Sequence, residues 1–273
     1  MKKILLLLDI LHSPAPVLSS IINIAGAAGA LVEVIFLHRV HFLVDIVYPL
    51  GTDLPSLQAD EEADKRLLAD NTQLISDSLS SANIKFLIAG DEPVSLDDLL
   101  MDSAFSDLIV TDARTSISDF LYAPLNVSMK DLLSDAHCPL LLLREDGMPP
   151  DKLILAYDGS YSSIYAIKQF RYLFPNFSSL PTFLVTIASN EKKGIAHSDM
   201  LKHWAPYHFK DLLVEVLPGR PASTLPAFVN HHNGIPLVVM GAYGRSSISR
   251  LFHQSLANAM LEKTSASLFT THE

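Results

Sequence analysis

Short apolar runs alternate along this chain with longer amphipathic stretches. In the first half the runs are Ile4–Leu8, Leu31–His38, Ile84–Ile88, Leu108–Thr111 and Leu140–Leu143. Runs of this length, bounded by polar or turn residues, mark strands buried on both faces, as in parallel sheets. Helical periodicity fills the gaps near Pro16–Ala28, with Ser13 as N-cap, and at Asp60–Ser80, Ser95–Ser103 and about Val127–Ser134. A long loop, His41–Leu57, precedes the second of these helices. That helix starts with acidic residues, as the helix dipole favours, and is expected to turn Leu67, Leu68, Leu74, Ile75 and Leu79 inward.

The second half repeats the order more compactly. Its strands are Leu153–Tyr157, Thr182–Ile187, Leu212–Val216, Leu237–Met240 and Ser267–Thr270. Its helices fall near Ser162–Leu173, Ser198–Tyr207, Ala222–His231 and Leu256–Lys263. Lys3-Ile4-Leu5-Leu6-Leu7-Leu8-Asp9 aligns with Lys152-Leu153-Ile154-Leu155-Ala156-Tyr157-Asp158, and Asp107–Thr111 aligns with Pro236–Met240. Arg144–Asp151 is the charged, Gly/Pro-rich break between them. The expected organisation is α/β: two tandem doubly wound domains, each with a five-stranded parallel sheet. Residues 1–144 form one domain, 145–151 a linker and 152–273 the other.

Charge narrows the partners. A net charge of −10 and a pI near 5.5 argue against a nucleic-acid partner, which needs a basic footprint. Cys138 is the single cysteine, which excludes an intrachain disulfide and fits a reducing cytoplasm. Met1–Leu8 resembles the start of a signal peptide, but Asp9 interrupts the run too early. No stretch reaches the ~18 consecutive apolar residues of a membrane span. A cytoplasmic protein without a membrane partner is expected.

Candidate chemistry gathers in the second half. The first strand there runs into Asp158-Gly159-Ser160, which puts a carboxylate at a strand tip facing the crevice where open α/β sheets bind ligands. The plainer account is that Asp158 opens a turn and Ser160 or Ser162 caps the next helix. The fourth strand ends in Met240-Gly241-Ala242-Tyr243-Gly244-Arg245, with Ser255 opening the last helix. Glycines let backbone amides approach an anion, and a helix N-terminus offers unpaired N–H groups. Arg245 and Arg250 add positive charge between them.

These two segments resemble the signatures of the universal stress protein family. Its nucleotide-binding members carry Gly, two residues, Gly, nine residues, then Gly and Ser or Thr. Gly241 and Gly244 match the first pair, and Gln254-Ser255 falls at the end, with Gln254 in the place of a glycine. The resemblance implies that Asp158 contacts a ribose, that Ile187 meets adenine through its backbone, and that Ala156 forms the pocket floor. It places phosphates at Gly241, Gly244, Ser255 and Leu256, beside Met240 and Arg245. ATP or another adenine nucleotide, with Mg, is the implied ligand, bound once per chain in the second half. Gln254 either crowds the phosphates or donates its amide to one; if it blocks them, no cofactor binds. In the first half the equivalent exit is Asp112-Ala113-Arg114-Thr115, and a carboxylate there repels phosphate.

The resemblance further implies a regulatory stress-response module rather than an enzyme, with the two halves paired through their last strands as an internal pseudo-dimer, open to further homodimerisation. The alternatives are a ligand-free scaffold working through protein contacts and, third, a weak nucleotide hydrolase. No catalytic residue is assigned: the P-loop, the G-x-S-x-G elbow and the dinucleotide fingerprint are all absent. No metal site is expected, since His231 and His232 are adjacent and His203 and His208 are five apart, neither a ligand spacing. Cys138 precedes a strand and is expected to pack.

Overall fold

In a computed structural model, residues 2–37, 54–89, 94–112, 135–188, 195–241 and 256–271 are described, without side-chain detail for 54–61. The chain divides into two compact units. One comprises Met1–Leu132 with Glu145–Gly147, and the other Leu133–Arg144 with Met148–Glu273.

The first unit contains strands β1 (Lys3–Asp9), β2 (Leu31–Leu37), β3 (Lys85–Ile88) and β4 (Leu108–Asp112). They lie in the order β3-β2-β1-β4 and all described pairings are parallel. β1 is buried along nearly its whole length, which explains why its sequence is a continuous run and not an alternation. Helices α1 (Ala15–Ala28), α2 (Leu54–Ser81) and α3 (Leu96–Ala104) connect the strands. Ser95 caps α3 in a reciprocal box with Asp98.

Three local expectations change here. The N-cap of α1 is Pro14, with no side-chain cap; Ser13 instead accepts from the Ala15 N–H at 3.4 Å. α2 starts at Leu54, inside the expected loop, because Pro55 falls in a first turn where its missing N–H costs nothing. Leu67 and Leu74 are exposed on α2, while Asn71, Ile75 and Leu79 form the buried stripe. With Asn71 in that stripe, the inward face lies away from Leu67 and Leu74. The expected helix at Val127–Ser134 lies outside the described residues.

The second unit holds β5 (Leu140–Leu143), β6 (Lys152–Ala156), β7 (Thr182–Ala188), β8 (Leu212–Pro218), β9 (Pro236–Gly241) and β10 (Ser267–Thr271). Their order is β5-β10-β9-β6-β7-β8. β6 to β10 are parallel, and β5 runs antiparallel to β10 with Leu142 opposite Leu268. Helices α4 (Tyr161–Leu173), α5 (Ser198–Trp204) and α6 (Pro221–His231) intervene, and residues 256–263 are also helical. Phe170, Phe174, Phe177 and Phe269 form an aromatic cluster between α4, the turn after it and β10. No described helix is long and apolar enough to cross a membrane.

The units share a register. Leu6 lies opposite Val110 and Val34, and Leu155 opposite Val239 and Leu184. In each sheet the strand order reverses beside the first strand. In the second unit that switch point falls between β6 and β9, where the chains leaving their C-terminal ends part and open a crevice.

Candidate functional site

The crevice is built by the turn after β6. The Tyr157 N–H donates to the Val185 carbonyl at 2.9 Å, carrying the β6–β7 ladder one residue past the strand. Asp158 then accepts from the Ser160 N–H through Oδ1 at 2.9 Å, an Asx turn. Ser160 is the N-cap of α4: its side chain accepts from the Ser163 N–H at 3.1 Å. Gly159 has a φ of +81°, and a Cβ there would lie 2.4 Å from the Ala196 side chain. Both the turn and the close approach therefore require glycine. The Tyr157 hydroxyl reaches the same segment and donates to the Ala196 carbonyl at 2.8 Å. Burial, and then the Asp158 charge, push its phenol above the ordinary range.

Six of the ten residues singled out from the sequence line one cleft at this point: Ala156, Asp158, Ile187, Met240, Gly241 and Leu256. They come from the ends of β6, β7 and β9 and from the start of helix 256–263. Gly244, Arg245, Gln254 and Ser255 lie outside the described residues. The cleft also takes in Tyr157, Ser163, Val185, Pro221 and Leu225. Val185 could have been found from its period-2 relation to Ile187. Pro221 and Leu225, on α6, carried no signal of their own. The cleft is small, about 50 Å³, and half open to solvent. Its described walls are mainly apolar, with Asp158 the charged member.

Gly241 has a reason of its own. A Cβ at this position would stand 2.5 Å from Ser162 Oγ and 2.7 Å from the Ser162 carbonyl carbon. Real Cβ contacts do not come so close, so the first turn of α4 packs directly against the β9 backbone. The glycine serves this helix–strand contact whether or not an anion sits beyond it.

The corresponding turn of the first unit has the same start and a different surrounding. Asp9 accepts from the Leu11 N–H at 2.8 Å, the same Asx geometry, and its other oxygen lies 3.5 Å from His12 Nδ1. Buried Asn71 of α2 donates to the Ile10 and His12 carbonyls at 2.9 and 3.2 Å, filling the space beside the chain that leaves β1. Asp112 holds the position equivalent to Gly241 and is buried. Ala113, Arg114 and Thr115 are outside the described residues. Cys138 is buried, in keeping with a packing role. Among the described residues no group of three or more His, Cys, Asp or Glu side chains could hold a metal.

A parallel α/β sheet with a cleft at its switch point, lined by a strand-tip aspartate and a strand-exit glycine, defines a doubly wound α/β architecture. Known proteins share it. A universal stress protein of Synechocystis, Slr1230, is 28% identical over 166 residues, which is 60% of this chain and 57% of that protein. The chain thus spans little more than half the length of this relative. The crystal structure of a universal stress protein from Archaeoglobus fulgidus superposes with a TM-score of 0.70 at 14% identity, covering 99% of this chain and 96% of that one. A putative universal stress protein from Pseudomonas aeruginosa gives 0.57 at 13% identity, with 100% and 93% covered. These structural likenesses carry the fold. No protein-family model matches. The chain is thus similar to universal stress proteins, in sequence over 166 residues and in fold over nearly its whole length.

Proposed function

We propose that the second unit binds one adenine nucleotide per chain in the β6/β9 cleft and that the protein acts as a nucleotide-responsive stress regulator. The observation that supports this most directly is the convergence of Ala156, Asp158, Ile187, Met240, Gly241 and Leu256 on one cleft from three strand ends and one helix start. Residues separated by as much as a hundred positions meet where open α/β sheets take their ligands. The apolar pair Val185 and Ile187 suits a base, and Asp158 at the rim suits a ribose hydroxyl. Phosphates, with their magnesium, would then extend toward the glycine and serine positions 244 and 255. Among the described residues the first unit differs at the corresponding places, with Asn71 bonded to the chain leaving β1 and a buried Asp112 where the second unit has Gly241.

Calorimetric titration of the full chain with ATP and magnesium tests this reading, with an expected stoichiometry near one, as one anion site predicts. Two equal sites would overturn it. Absence of binding would favour the second reading, a scaffold of the same fold acting through protein contacts. Two observations speak for that alternative: the cleft is small, and helix packing already accounts for Gly241.

A further inference from the structure

The helix between the second and third strands differs greatly between the two units. In the first, α2 runs for 28 residues, packs on β3 and buries Ile75 and Leu79 completely. In the second, α5 has 7 residues and is followed by a single 3-10 turn, Ala205–Tyr207. A helix of 7 residues rises only about 10 Å, so it cannot cover the sheet to its edge. β8, an edge strand, leaves Val214 on one face 45% exposed and Leu213 on the other 53% exposed.

The uncovered space is a distinct cavity of about 420 Å³ between α5 and β8. Leu212 and Val214, on one face of β8 by their two-residue spacing, form its floor, and Leu201 and Phe209 form its walls. Lys202 and Lys210 complete the lining. Neither lysine forms an ion pair among the described residues, in a protein with a net charge of −10, and no carboxylate belongs to the lining. A gap left merely by a short helix would need no cations. Size and composition match a small-molecule pocket: mostly apolar, with a few polar groups to fix orientation. No lining residue is shared with the β6/β9 cleft.

We propose that this cavity binds a small amphipathic organic anion, an apolar tail lying on Leu212 and Val214 with its acidic head between Lys202 and Lys210. The site is independent of nucleotide binding in the other cleft.

Decanoate is a suitable probe, and the chain provides its own reporter. Trp204 is the single tryptophan; its ring centre lies 6.3 Å from that of Phe209 in the cavity wall. Titration of the full chain should shift Trp204 emission saturably, and calorimetry should give one site per chain. Between hexanoate and decanoate the affinity should rise about three- to fourfold per methylene, the scale of burying one CH₂. Lys202→Gln and Lys210→Gln should each weaken decanoate about three- to fivefold, the scale of an exposed charge pair. The double variant Lys202→Glu/Lys210→Glu should remove binding while leaving the urea midpoint unchanged, since both residues are exposed. Val214→Trp, which fills the cavity from its floor, should also remove it. Decyl phosphate binding as well as decanoate would show that the head group is read as a charge, and decanoate alone that it is read as a carboxylate. Equal affinity for decyltrimethylammonium, indifference to both lysines, or no saturable response would overturn the proposal.

Discussion

Gly241→Ala separates two explanations of the same residue. If the glycine is there for a phosphate, alanine should weaken ATP and leave the unliganded protein alone. The geometry predicts otherwise. The new Cβ would sit 2.5 Å from Ser162 Oγ, 2.7 Å from its carbonyl carbon and 2.9 Å from its carbonyl oxygen. Two of these three atoms belong to backbone at the start of α4, which cannot swing aside as a side chain would. Overpacking of this kind costs about 1–3 kcal/mol. In a unit of this size that corresponds to a fall in Tm of about 3–12 °C. Thermal and urea unfolding of the nucleotide-free chain would measure it. Adding Ser162→Ala should recover only part of the loss, because it removes the oxygen contact and leaves the backbone ones. Unchanged stability of nucleotide-free Gly241→Ala, with ATP binding reduced, would refute the packing argument and return the glycine to the ligand.

Two further outcomes follow from other parts of the molecule. Asn71→Leu should destabilise the first unit by about 1–3 kcal/mol, the cost of leaving buried carbonyls without donors, read by urea unfolding, with ATP affinity of the second unit unaffected. His208 lies with its ring centre 4.2 Å from that of Trp204, and burial, with Arg171 behind it, holds its pKa below the usual 6.5. A lowered folded pKa means the unfolded chain binds the proton more readily, so this contribution is complete above pH 6.5 and is lost as pH falls through the folded value. Trp204 emission should therefore change with a midpoint below 6.5, and His208→Gln should abolish the step.

The strands were legible because burial on both faces leaves an uninterrupted apolar run, as in Ile4–Leu8 and Leu237–Met240. The strand-tip turn was equally plain, since Asp followed by Gly and Ser has few other uses after a strand. The inward face of α2 was legible only in part: Ile75 and Leu79 are buried as expected, Leu67 and Leu74 are not. Leucine periodicity pointed to Leu67 and Leu74, but the helix is rotated so that Asn71 reaches the carbonyls of Ile10 and His12. That bond joins residues about sixty positions apart, and no local pattern announces it. The meaning of Gly241 was hidden for a similar reason. Sequence shows a glycine after a strand, whereas the constraint comes from Ser162 of a helix that only the fold brings against it. The cavity beside α5 escaped notice although the helix itself was read as Ser198–Tyr207, matching α5 and its 3-10 turn; what a helix leaves uncovered on a sheet is a tertiary property.

The aspartate after the first strand deserves less weight as a sign of ligand binding than its position suggests. Asp9 and Asp158 both accept from the N–H two residues on, with the same geometry in both units. The carboxylate therefore serves the turn in both units, whatever lies beyond it. What distinguishes the units lies around the turn. Across the switch point Gly241 replaces Asp112, so a backbone surface stands where the first unit has a buried acid. Beside it, the long α2 carries Asn71 back to the chain leaving β1, and the short α5 has no residue that reaches the equivalent place among the described contacts. The second-unit cleft thus differs by one small residue at the strand exit and by a turn packed against Ala196 instead of a helix side chain. The shortness of α5 opens the cavity between it and β8. Restoring side-chain bulk at Gly241 would act on the β6/β9 cleft alone, whereas lengthening α5 would act on the lysine-lined cavity and, through the chain leaving β6, on the cleft as well.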